Sequence, residues 1–311
     1  MTRLDVRVDG DTLFVGRFWI SFQRTLRVPD DGRDYPLPPG LGPLPLVPVE
    51  RCGGRLPLSM REAGSFVLPM YQREALWLAF GGTHWKPNAV KVGVGSVNAV
   101  TGAGWDEALE GDPQNYLVCP GQPWLDGFVT GRGEVRQFVA MPLGAGYTVE
   151  EQLSTADVVG GIRLLVYEPK SGRFPEAPPA TGATDRPWSI AEPAMGLGAG
   201  GKIRQRLYVD PHGVETWDVD RSRQAVVHIL NSMQFRAVTG EDPPPTPVDA
   251  RTYTEHGLPW FTLYDEHQEA LPATDRLRRV RSIGELGEDD DEDVSFEVHP
   301  EQIRGLGRPD G

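Results

Sequence analysis

The chain has only two cysteines among 311 residues, Cys52 and Cys119. Two thiols make neither a disulfide framework nor a four-thiolate zinc site. The opening MTRLDVRVDGDTLFVG lacks an apolar h-region, so a reduced, cytoplasmic chain with two free thiols is expected. Long apolar runs are missing as well. The longest, such as Ala75–Phe80, fall far short of the ~20 residues of a spanning helix, which predicts a soluble protein with no membrane span. Positive charge is the minority: 31 Lys and Arg face 44 Asp and Glu, a net charge of −13. That balance excludes a general basic surface for nucleic acid.

Motifs for the commonest chemistries are missing too. No Gly-Lys-Ser/Thr and no Gly-x-Ser-x-Gly occurs. Gly93-Val-Gly95-Ser follows a strand signal, but Ser96–Val100 continues as strand where a phosphate-binding loop needs a third glycine opening a helix. The six histidines never stand three or four apart, and Asp218-Val-Asp220 and Asp289–Asp293 lack the glycine and terminal glutamate of a calcium loop. No metal and no cofactor is expected.

Glycine and proline are abundant, at 37 and 29 residues. Both disfavour helix interiors and suit short strands joined by turns. Leu4, Val6 and Val8 alternate with charged residues. After the Asp9-Gly10-Asp11 turn, Phe14, Phe18, Ile20, Phe22, Leu26 and Val28 share one parity, so residues 4–28 read as a half-buried hairpin sheet. Tyr71–Phe80, Val90–Val94, Val135–Met141, Ile162–Tyr167 and Ile203–Val209 read as further strands. Thr148-Val-Glu-Glu151 fits a capping box. The best helical spacing is at 221–239, where Val226, Ile229, Leu230, Met233 and Ala237 fall on one face and Gly240 marks the end. Tyr253–Tyr264 is expected to pack on the core, with a short helix near 274–283.

Residues 29–69 and 168–200 are Pro/Gly-rich surface connectors; the interleaved leucines and valines of the first predict that it packs down. Residues 1–283 are read as one β-rich domain and 284–311 as an acidic disordered tail, in which Val294, Phe296 and Val298 form an apolar patch. Val135-Arg-Gln and Ile203-Arg-Gln both precede a Pro-x-Gly turn, an echo that fits either a duplicated strand unit or coincidence. The expected fold class is α+β and β-rich: a two-sheet β-sandwich with one main helix.

The stretch Pro87–Gly127 is the densest in Gly, Pro, Asn and Trp. Tryptophans among polar neighbours supply flat apolar faces beside hydrogen-bond partners, as sugar and peptide surfaces do. The candidate binding residues are therefore Trp85, Asn98, Trp105, Gln122, Trp124 and Asp126, with tryptophans closing the ends of a sandwich as the structural alternative. The expected partner is a protein, a second copy of the chain or a polymeric ligand. A hydrolase acting on glycans or peptides is the alternative, with acid and base from Asp106, Glu107, Asp126, Glu150 and Glu151. Cys119 lacks a readable activating neighbour and is read as a small buried hydrophobe.

Several phrases together, MYQREALWLAF, PNAVKVGVGSVNAVTG, CPGQPWLDG, VRQFVAMPLGAGYTVEEQ and GLPWFTLYDE, resemble an uncharacterised family of microbial proteins of unknown function, some of whose members are labelled integral membrane protein. The resemblance covers about residues 10–265. It implies a single module and supplies no catalytic residue. The absence of an apolar span in this chain conflicts with the membrane label.

Overall fold

The alternation of the first 28 residues folds as a meander in the computed structural model, which describes residues 4–154, 158–177, 196–248, 250–256, 260–262, 269–287 and 303–305. Strands β1 (Val6–Asp9), β2 (Thr12–Val15) and β3 (Phe18–Thr25) pair antiparallel, with Asp9 opposite Thr12 across the Gly10-Asp11 turn. Phe18, Ile20 and Phe22 enter the core, which turns Trp19, Ser21 and Gln23 to the opposite face. The Pro-rich stretch that follows packs down, as its leucines and valines predict. It forms the short strands β4 (Asp34–Tyr35), β5 (Gly40–Pro43) and β6 (Val47–Pro48), then 3₁₀ turns over Val49–Arg55 and Leu58–Met60. Leu37, Leu44, Leu46, Val47 and Val49 are buried, and Pro48 lies on the edge strand β6, where no ladder donor is needed.

The middle of the chain supplies most of both sheets. Strands β7 (Ser65–Pro69), β8 (Ala75–Gly81), β9 (Asn88–Val94), β10 (Val97–Asn98) and β11 (Leu117–Cys119) come first. Then follow β12 (Trp124–Leu125), β13 (Gly127–Gly131) and β14 (Glu134–Met141). Helix α1 (Val149–Leu153) opens on the predicted capping box: the Thr148 side chain accepts from the Glu151 N–H, and the Glu151 carboxylate accepts from the Thr148 N–H. After it come β15 (Ile162–Pro169), β16 (Gly196–Arg204), β17 (Trp217–Leu230) and α2 (Ser232–Thr239). The last elements are α3 (Ala250–Glu255), β18 (Trp260–Thr262), α4 (Asp275–Arg278) and β19 (Ile303–Gly305).

Among the described residues a larger sheet runs β1-β2-β3-β8-β14-β16-β4, with β5, β12 and β13 joined to β3, β8 and β14. A smaller one runs β10-β9-β15-β17-β7-β6, with β11 on β9. Ile20, Phe22, Leu76, Leu78 and Phe138 from the first sheet and Val90, Val92, Leu164, Val166 and Val227 from the second belong to one buried cluster. The fold is thus a β-rich α+β arrangement of two sheets sharing one core. Cys52 and Cys119 are buried and free. No helix among the described residues is long and apolar enough to cross a membrane.

The stretch 221–239 is not one helix. β17 occupies it as far as Leu230, paired antiparallel with β15 on one side and parallel with β7 on the other. Ala225–Leu230 is buried throughout and carries Val226, Val227 and Ile229. β-branched residues ladder-bonded on both edges outweigh an incidental helical spacing. Asn231 ends the strand by a second capping box, exchanging hydrogen bonds with Gln234, and Gly240 closes α2 in the left-handed conformation.

The strand expected at Ile203–Val209 lies earlier, ending at Arg204. The echoed phrases are neighbouring rungs of one antiparallel ladder, Val135 facing Ile203. In the stretch expected to be a disordered tail, Gly284–Leu286 makes a 3₁₀ turn and β19 pairs in parallel with β18. Val294, Phe296 and Val298 lie outside the described residues, as do 178–195 of the second connector and 263–268.

A Cβ at Gly127 would sit 1.8 Å from the Arg136 carbonyl oxygen. Gly127→Ala is therefore expected to lower stability by roughly 1–3 kcal/mol in urea unfolding; an unchanged midpoint would show that β13 yields there without cost.

Candidate functional site

The structure does not gather the six candidate residues on one surface. Asn98 is buried and organises its own loop: its Oδ1 accepts from the Val100 and Thr101 N–H groups at 2.9 and 3.0 Å, and its Nδ2 donates to the Asn115 carbonyl at 2.8 Å. Trp105 lies on the outer face of the smaller sheet. It covers Gly93, where a Cβ would come within 2.4 Å of the indole, and stands 5.6 Å from the Lys91 ammonium. The glycine on that strand face marks the close approach of a ring. Trp85 is half-buried in the turn between β8 and β9, beside Lys86. Trp124 and Asp126 lie on the larger sheet.

Those two sit at a denser site. β12 pairs with β8 so that Trp124 faces Ala79 and Leu125 faces Leu78. Leu78 points into the core, so Ala79 and Trp124 lie on the outer face, with Trp124 also packing against the core cluster. Asp126 follows Leu125, and its carbonyl accepts from the Phe138 N–H of β14 at 3.0 Å. β3 lies on the other side of β8. Trp19 faces Gly81, Ser21 faces Ala79 and Gln23 faces Trp77, which continues the same outer face. Trp19, Trp77 and Trp124 are each half-buried there. The Trp19 ring crosses Gly81 so closely that a Cβ would lie 2.0 Å from it. Ser21, Gln23 and Asp126 are buried, and Gln23 donates to the Ser21 hydroxyl at 2.9 Å.

Two polar atoms of this face find no hydrogen-bond partner among the described residues, the Trp77 Nε1 donor and the Asp126 Oδ2 acceptor. An unmade hydrogen bond on a buried group is costly. Burial pushes the Asp126 carboxyl up to about 7, offset in part by a hydrogen bond from the Trp124 side chain. The face thus presents three half-buried indoles, while the unmatched donor and carboxyl oxygen are closed to solvent.

Glutamine side chains hold the backbone under it. Gln205 donates to the Trp124 carbonyl at 3.1 Å and accepts from the Asp126 N–H at 2.8 Å. Gln122 donates to the Trp124 and Arg206 carbonyls and accepts from the Tyr208 N–H at 3.1 Å. Gln114 repeats the clamp on the Tyr208 carbonyl and the Asp210 N–H. Each amide bridges a carbonyl and the N–H two residues on, as a neighbouring strand would. The chain beyond Arg204 is aligned on one side by these amides and on the other by residues 269–271, where the Val209 N–H donates to the Glu269 carbonyl and the Leu271 N–H to the Leu207 carbonyl. Gln122 is accordingly a buried support of the site.

The other carboxylates considered for catalysis are engaged separately. Asp106 pairs with Lys91 at 2.5 Å. Glu150 accepts from the Ser96, Val159 and Gly160 N–H groups. Glu151 serves the capping box and the Gly144 and Gly146 N–H groups. Glu107 is exposed, and its carbonyl accepts from the Tyr167 hydroxyl. Cys119 is fully buried, which pushes its thiol up. Among the described residues no group of three His, Cys, Asp or Glu is placed to hold a metal ion.

Sequence reading missed Trp19 and Trp77. The signal was present in the parity of β3 and β8: both residues fall opposite the positions that form the core, beside Ser21 and Gln23. No family model, no curated protein and no solved structure matches the chain.

Proposed function

We propose that the protein is a non-catalytic binding protein whose ligand lies on the outer face of the larger sheet, across Trp19, Trp77 and Trp124. The three half-buried indoles on the adjacent strands β3, β8 and β12 carry this reading; the unmatched Trp77 Nε1 and Asp126 Oδ2 are both buried and closed to solvent. A ligand that stacks on indoles is flat-faced, as a neutral oligosaccharide is. The glutamine clamps fix the backbone beforehand, so little ordering is needed on binding.

Titration of tryptophan fluorescence with a panel of neutral oligosaccharides tests it. A saturable response is expected, with binding weakened roughly tenfold or more in Trp77→Phe and Trp124→Ala. Unfolding midpoints should move far less than for a core tryptophan, whose truncation costs ~3–5 kcal/mol. Absence of saturation across the panel, or a Trp124→Ala protein that binds as well as the parent but unfolds far more easily, would refute the reading.

The raised carboxyl of Asp126 favours a second reading, hydrolysis of the same ligand class with Asp126 as general acid. Release of shorter sugars from the panel, abolished in Asp126→Asn, is the result that would select it.

A further inference from the structure

A second site lies at one end of the two-sheet core. Lys86 is buried just before β9, and its ammonium is 2.5 Å from the Glu176 carboxylate. Glu168, also buried, ends β15 and is held by Arg17 at 2.7 Å and Arg221 at 2.5 Å. Arg17 comes from the turn between β2 and β3, so both sheets contribute. Glu176 is mostly exposed, yet its carboxylate is held below the usual range by Lys86 first, with Arg17 and Arg221 adding to it. Its arm is seated by edge-to-face ring contacts, Phe174 with His212 at 5.0 Å and His212 with Trp217 at 6.0 Å. The Arg17 Nε is buried and makes no hydrogen bond among the described residues.

The two carboxylates differ in kind. Glu168 is buried in the strand and cannot leave without unfolding it. Glu176 is a solvent-exposed side chain reaching into a buried ammonium from outside. With Glu176 in place three cations face two carboxylates; with it withdrawn they face Glu168 alone. That leaves an excess of two positive charges in a protein whose net charge is −13. A buried ammonium without a counter-ion is strongly disfavoured, so whatever displaces Glu176 must itself be anionic. A dianion neutralises the cluster, whereas a monocarboxylate leaves one charge over. Guanidinium and ammonium together suit tetrahedral phosphate oxygens.

We propose that Arg17, Lys86 and Arg221 form a phosphate-class anion site, and that Glu176 occupies it as an internal stand-in. Calorimetric titration of the full chain with inorganic phosphate at constant ionic strength tests the assignment, with glycerol phosphate in a parallel arm. Glu176→Gln removes the competing carboxylate and is expected to bind phosphate roughly tenfold or more tightly than the parent. Adding Lys86→Met to Glu176→Gln should abolish binding, and a thermal melt of the double variant verifies that it folds. Should that variant be unfolded, Arg221→Gln in the Glu176→Gln background replaces it, with weakened binding expected. Tighter binding of glycerol phosphate than of free phosphate marks a phosphomonoester as the ligand; the reverse marks the free ion. The assignment is overturned if Glu176→Gln shows no gain over the parent, or if phosphate binding persists unchanged without Lys86 or Arg221.

Discussion

Asp126→Asn will equal the parent chain in stability below about pH 4 and become progressively more stable than it as the pH rises to about 7. The Asp126 carboxyl is buried and pushed up to about 7, above the ~3.9 of an unfolded aspartate. The folded chain therefore holds the extra proton. The stability linked to this group is full below about pH 4 and is lost as the pH rises through about 7. A shift of this size corresponds to a penalty on the order of 3–4 kcal/mol at pH 8, which an amide does not carry. Urea unfolding of both proteins from pH 4 to 8 measures it. Parallel stability curves would mean that Asp126 is solvated or paired in solution, and would remove the unmatched acceptor beside the face proposed to bind. A native residue that destabilises its own fold in this way fits a site kept for a ligand.

Arg24→Met is expected to cost ~3–5 kcal/mol at pH 7. Arg24 and Glu74 are both buried and joined at 2.5 Å between β3 and the start of β8. Burial already raises the Glu74 carboxyl despite Arg24 and the Tyr71 N–H. Without Arg24 the carboxylate is stranded in the interior. The cost should shrink as the pH falls and Glu74 takes up a proton. Arg24 also donates to the Pro245 carbonyl, and the Tyr71 hydroxyl to that of Pro244, so amide exchange should speed up around residues 241–248. Replacing Glu74 by Met as well should restore most of the loss, since the pair is stabilising chiefly relative to one partner alone. A single variant within about 1 kcal/mol of the parent would show that water reaches the pair.

The β-rich class, the N-terminal meander, the strands at Val90–Val94, Val135–Met141 and Ile162–Tyr167 and the capping box at Thr148 follow from the sequence by itself. Each rests on neighbours in the chain: period-two alternation, turn residues at fixed offsets, or a side chain reaching the backbone three positions away. Only the tertiary structure decides what depends on contacts across strands. Residues 221–230 are strand because β15 and β7 pair on both edges, and no local signal carries that pairing. Residues 205–210 keep their course because Gln114 and Gln122, about 90 positions away in the chain, hold one edge while residues 269–271 pair with the other. Trp19, Trp77 and Trp124 form one face because β3, β8 and β12 are adjacent, whereas Trp85, Trp105 and Trp124, close in sequence, are carried to separate surfaces. Alternation tells which side of a strand a residue occupies, but the order of the strands, set by burial of the whole core, tells which residues share it.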